Sequence, residues 1–138
     1  MKSLYTASAV ATGDGRNGRV SSLDGLLDTP VSTPKELGGG GDATNPEQLF
    51  AAGYAACFHS ALKLVAAKAQ ADTTDSEVVA DVSLGALPTG GFGLAAHLEV
   101  SLPQLDRNTA EALVAQAHQV CPYSNATRDN MQVTLAVA

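Results

Sequence analysis

Residues 45–70 read NPEQLFAAGYAACFHSALKLVAAKAQ. The opening is a helix start. Asn45 suits the N-cap, Pro46 the first helical position, and Gln48 the place where a capping box takes Glu or Gln. From Leu49 to Phe58 the residues are apolar all round, which predicts a buried central helix running to about Gln70, roughly 39 Å long. The apolar run is interrupted by His59, Ser60 and Lys63, which makes it too short and too broken for a bilayer span.

Strand patterns lie on both sides of this segment. Residues 3–10 alternate loosely, Gly13 to Gly18 is a turn, and short strands are expected around 18–22 and 25–28. Beyond the helix, residues 78–86, 92–102 and 131–137 alternate with one apolar and one mixed face, as half-covered antiparallel strands do. Pro88-Thr89-Gly90-Gly91 joins the first two as a hairpin. A second helix precedes the last strand, with Asn108 as a possible cap and Glu111 in the capping-box position. Leu113, Val114, Ala117, Val120 and Cys121 share its apolar face, and Pro122 ends it or opens a new turn. The expected fold is α+β, an antiparallel sheet packed on two helices in a single domain over residues 1–138. One small sheet covers one side of an all-round apolar helix, so the pattern points to a dimer whose partner covers the rest.

The composition narrows the function. The 138 residues are 45% hydrophobic and 16% charged with a net charge of −6, which argues against disorder. No Lys/Arg run occurs and Trp is absent, so neither phosphate-backbone binding nor base stacking is supported. The N-terminus has a lone Lys and no long apolar run, which predicts no secretory signal and a cytoplasmic protein. Gly38 to Gly41 lacks the Gly-Lys-Ser/Thr ending of a phosphate-binding loop. Cys57, His59, His97, His118 and Cys121 are available as metal ligands, yet no Cys-x-x-Cys or His-x3-His spacing occurs, and no metal or other cofactor is expected.

Two cysteines remain. Cys57 lies mid-helix among apolar residues, where a thiol is either an inert small hydrophobe or a nucleophile kept ionised by an approaching cation. Lys63 and Lys68 do not face it. Arg16, Arg19 and Arg128 are the candidate cations, and Arg suits the role because it stays charged and planar. Such an Arg needs an anion. Glu47 is the acid in the first helical turn, roughly 15 Å before Cys57 along a straight helix. It serves either as a helix-dipole complement or as the Arg partner, the latter through a bent helix, a long Arg or a second subunit. Cys121 is either a core residue or the cap of a new turn at Pro122.

The stretches Asn45-Pro46-Glu47-Gln48-Leu49-Phe50-Ala51-Ala52-Gly53-Tyr54-Ala55-Ala56-Cys57 and Val120-Cys121-Pro122-Tyr123-Ser124-Asn125-Ala126-Thr127-Arg128 resemble the two signature motifs of the organic hydroperoxide resistance proteins, within the Ohr/OsmC family. The likeness extends over nearly the whole chain, including Leu4 to Ala7 and Pro88 to Gly93. It implies an intertwined α+β homodimer with its site at the subunit boundary. It implies that Cys57 attacks the peroxide, that Cys121 resolves by forming a Cys57–Cys121 disulfide, and that Arg16 and Glu47 assist, with Arg19 a weaker candidate. The implied reaction reduces organic hydroperoxides, with lipoyl groups on lipoylated proteins as reductant. Leu49, Phe50, Phe58 and Phe92 are expected to form an apolar substrate pocket. Asp129 departs from the family pattern, where Gly is usual, and should affect a turn more than chemistry.

Overall fold

The computed structural model describes all 138 residues, Met1–Ala138. Its long helix, α1 (Pro46–Lys68), starts as the sequence predicts. Asn45 Oδ1 accepts from the Gln48 backbone N–H at 2.9 Å. The reciprocal half of the capping box is diverted, because Gln48 Oε1 instead accepts from the Thr44 hydroxyl at 2.8 Å. The chain divides into two compact units, Met1–Leu49 and Phe50–Ala138, with the boundary inside the first turns of α1.

The N-terminal unit is a three-stranded antiparallel sheet in the order β1 (Ala9–Thr12), β2 (Arg19–Ser22), β3 (Asp28–Pro30). Residues 3–8, expected to open a strand over 3–10, form none: β1 begins at Ala9 and runs past Val10 to Thr12. β3 lies later than the expected 25–28, because the Ser22 and Asp24 side chains tie 22–27 into a turn. A 3-10 turn, Gly15–Asn17, links β1 to β2. Gly18 closes it so tightly that a Cβ there would collide with the Thr12 carbonyl oxygen, which explains the glycine.

The C-terminal unit holds β4 (Glu77–Ala86), β5 (Phe92–Ser101), α2 (Arg107–Val120), α3 (Pro122–Thr127) and β6 (Val133–Val137). β4 and β5 form the expected antiparallel hairpin, from Ala86↔Phe92 at the turn to Glu77↔Ser101. β6 does not complete an antiparallel sheet: it pairs parallel with β5, from Ala96↔Val133 to Val100↔Val137. The physical reason is the connection. A chain that passes through α2 and α3 between neighbouring strands has the length to return in the same direction. The α2 cap is Asp106 rather than Asn108, with its carboxylate accepting from the Thr109 N–H at 3.0 Å. Glu111 pairs with Arg107 at 2.9 Å instead of closing a capping box.

Tyr54, Phe58, Ala61, Leu62, Val65 and Ala66 of α1 join Ala96, Leu98 and Val100 of β5 and Ala110, Leu113, Val114 and Ala117 of α2 in one core. Val120 stands outside it, exposed. Only this face of α1 is covered within one chain, and Leu64 on the other side is 53% exposed. By length and composition α1 could cross a membrane, but the same composition serves a core helix. Leu62 is fully buried. We predict that Leu62→Ala lowers unfolding free energy by about 2–5 kcal/mol, through lost transfer energy plus a cavity, as read by urea denaturation.

Candidate active site

The sequence between Val120 and Asn125 positions one sulfur by two helix ends at once. The Cys121 backbone N–H donates to Ala117 O and closes α2. Its side chain then becomes the N-cap of α3: Sγ accepts from the Ser124 N–H at 3.5 Å, with Pro122 at the first helical position. The two alternatives for Cys121 therefore hold together, since it is also fully buried in the core.

Cys57, half-buried on α1, lies opposite. The two sulfurs are 3.6 Å apart and both are free thiols. A disulfide needs about 2.05 Å, so closure asks for a movement of about 1.5 Å. Burial pushes the Cys57 thiol above its ordinary value, the adjacent Cys121 adds to that, and the Tyr123 backbone N–H opposes it. No cation of the C-terminal unit answers this rise. Arg128 is engaged elsewhere, with one nitrogen donating to His118 O at 2.6 Å and the other to Asn125 Oδ1 at 2.9 Å.

The N-terminal unit contains the other predicted pair. Arg16 donates through both terminal nitrogens to both oxygens of Glu47, at 2.9 and 2.7 Å. This fork-to-fork geometry holds the Glu47 carboxyl below the usual carboxylate range. Arg19 is committed to Asp28 at 2.8 Å.

The predicted pocket residues differ in exposure. Phe50 lines an open cleft of about 450 Å³ together with Leu94, Tyr123, Ala126, Thr127 and Met131. Phe58 is fully buried in the core, Phe92 is 77% exposed beside the hairpin turn, and Leu49 is half-buried. Sequence reasoning missed Tyr123 and Met131. Tyr123 stacks obliquely with Phe50 at 5.8 Å and with Tyr54 at 5.6 Å. Its seat depends on Gly53, where a Cβ would stand 2.8 Å from the Tyr123 hydroxyl. A glycine in mid-helix, costly by propensity, was the available signal. No three His, Cys, Asp or Glu side chains gather in a group able to hold a metal ion.

The OsmC-like protein family model matches residues 39–136. The organic hydroperoxide resistance protein of Xanthomonas axonopodis pv. citri is 55% identical over 99% of this chain and 96% of its own length. Among solved structures, an organic hydroperoxide resistance protein from Legionella pneumophila matches with a TM-score of 0.94 and 54% identity, covering 99% of both chains. The organic hydroperoxide resistance protein OhrB of Bacillus subtilis matches with a TM-score of 0.89 and 45% identity, over 99% of this chain and 100% of that one. With both cysteine motifs, the fold and these full-length matches in agreement, the chain belongs to the Ohr/OsmC family.

Proposed function

We propose that this protein is a cytoplasmic thiol peroxidase that reduces organic hydroperoxides to alcohols and acts in organic peroxide resistance. The observation that carries the reading is the 3.6 Å approach of Cys57 and Cys121, one half-exposed to receive a peroxide and the other buried behind it. The names of the relatives support the substrate class.

The Cys57 thiolate attacks the distal peroxide oxygen. The O–O bond breaks, an alkoxide leaves and takes a proton to become the alcohol, and Cys57 is left as a sulfenic acid. The Cys121 sulfur then bonds to the Cys57 sulfur, the S–O bond breaks, and hydroxide leaves with the Cys121 proton as water. A dithiol such as dihydrolipoamide, free or on a lipoylated protein, reduces the disulfide by exchange and is itself oxidised to a cyclic disulfide. Sulfur and oxygen do all the electron transfer, so the cycle calls for no metal or other cofactor.

Two features support a homodimer as the working form of a single-domain protein. The uncovered face of α1, with Leu64 exposed, needs a cover. The buried Cys57 thiol needs a cation, Arg128 of its own unit is engaged elsewhere, and Arg16 is held by Glu47. In our reading the partner subunit supplies this Arg16–Glu47 pair, while Leu49, Phe50 and Phe92 contribute to an apolar pocket backed by Phe58. An apolar entrance favours alkyl and fatty-acid hydroperoxides over hydrogen peroxide. Nucleic acid and membranes have no part in it.

The test is a peroxidase assay with cumene hydroperoxide and dihydrolipoamide. Sustained alcohol production is expected, and its absence removes the proposal. Arg16→Gln extends the test. Removing the guanidinium should raise the Cys57 pKa and lower the thiolate fraction. Each thiolate formed is more nucleophilic, which offsets part of the loss, so the net fall near neutral pH is about 3–30-fold. Because the thiol is the form that accumulates, the deficit should shrink as pH rises. A wild-type profile in Arg16→Gln transfers the role to Arg19 or Arg128.

A further inference from the structure

Behind Cys121 lies a set of buried hydroxyls that the peroxide chemistry above does not use. Tyr54 on α1 and Ser124 and Thr127 on α3 are buried, the first two completely. The Tyr54 hydroxyl is 3.0 Å from Ser124 Oγ and 3.1 Å from Thr127 Oγ1. Ser124 Oγ is also 2.9 Å from His118 Nδ1 on α2. Thr127 Oγ1 is 3.2 Å from the Ser124 carbonyl.

The direction of these bonds follows from counting protons. A carbonyl can only accept, so Thr127 gives its single proton to Ser124 O. Tyr54 must then donate to Thr127 and accept from Ser124. Ser124, having spent its one proton on Tyr54, must accept from His118, so Nδ1 carries a hydrogen. The chain runs His118 Nδ1–H to Ser124 to Tyr54 to Thr127 to carbonyl, with every hydroxyl donating once and accepting once.

Ser124 is the junction. Its N–H holds the Cys121 sulfur at 3.5 Å, while its hydroxyl is clamped by α1 and α2. Resting on the peroxidase reading above, we propose that Tyr54, Ser124 and Thr127 are positioning residues for the second step, the attack of Cys121 on oxidised Cys57. They fix α3 to the helix that carries Cys57, so that the sulfur closes the last distance from a rigid base. The first step, on the peroxide, does not require Cys121 and should depend on them far less.

The test separates the two steps. Tyr54→Phe removes one oxygen from the middle of the chain, and Thr127→Val removes its end; the second variant serves if the first folds poorly. After one equivalent of cumene hydroperoxide, quenched-flow mass spectrometry measures Cys57 oxidation and disulfide closure. Closure should slow roughly 10–100-fold, the usual consequence of a misplacement of about 1 Å. With a second equivalent of peroxide supplied as oxidant, the yield of Cys57 sulfinic acid relative to disulfide should rise as well. A merely structural role would lower stability without moving this ratio, and an unchanged ratio overturns the proposal. Absence of any alcohol burst in the unaltered protein overturns the peroxidase reading, and this one with it. Nitrogen-15 NMR of the reduced protein should show His118 with its proton on Nδ1; a neutral ring carrying it on Nε2 reverses the chain and rejects the assignment.

Discussion

Cys57→Ser is expected to lose the alcohol burst from cumene hydroperoxide entirely. The hydroxyl that replaces the thiol is the same shape to within a fraction of an ångström, but its pKa lies far above any usable pH. An ionised nucleophile is therefore absent, and no neighbouring base replaces it: Cys121, 3.6 Å away, is itself a thiol. The substitution is conservative for the fold because Cys57 is only half-buried, beside the core cluster rather than inside it. A loss of activity at unchanged urea midpoint thus reports chemistry. If Cys57→Ser still released one alcohol per subunit, the nucleophile would have to be Cys121, and the order of the two thiols would be reversed.

Cys121→Ser is expected to give a different failure. The first turnover proceeds, with one alcohol per Cys57, because the attacking sulfur is intact. The sulfenic acid then has no thiol within reach, as Cys121 supplies the only sulfur beside it. Turnover stalls, and further peroxide carries Cys57 to the sulfinic acid, which thiols do not reduce. Mass spectrometry after successive equivalents of peroxide reads this directly. Sustained turnover with dihydrolipoamide would show that the reductant attacks the sulfenic acid itself, and Cys121 would lose its resolving role. The serine hydroxyl can still accept from the Ser124 N–H, so the α3 cap persists and any stability loss should be modest.

Local chemistry in the sequence accounts for much of the fold. The Asn-Pro-Glu-Gln start of α1, the alternation of β4 and β5, and the proline that opens α3 each depend on a few neighbouring residues, and each is found where the pattern puts it. The direction of β6 was not legible, because an alternating strand presents the same faces whichever way it pairs. Nor was the division among Leu49, Phe50, Phe58 and Phe92. All are apolar, and only the packing of α1 sends Phe58 into the core and leaves Phe50 on the cleft.

The candidate site divides in the same way. From the sequence alone came the residue types: two thiols in two motifs, an arginine in a glycine turn, a glutamate at a helix start. Their pairing is a matter of distance between segments remote in the chain, which no local pattern contains. Tertiary structure decided that Arg16 grips Glu47 while Arg19 turns to Asp28. It also brought two sulfurs 64 residues apart to 3.6 Å. That approach is set by the helices that share the core, because rigid elements packed against one another leave their side chains little choice of where to meet.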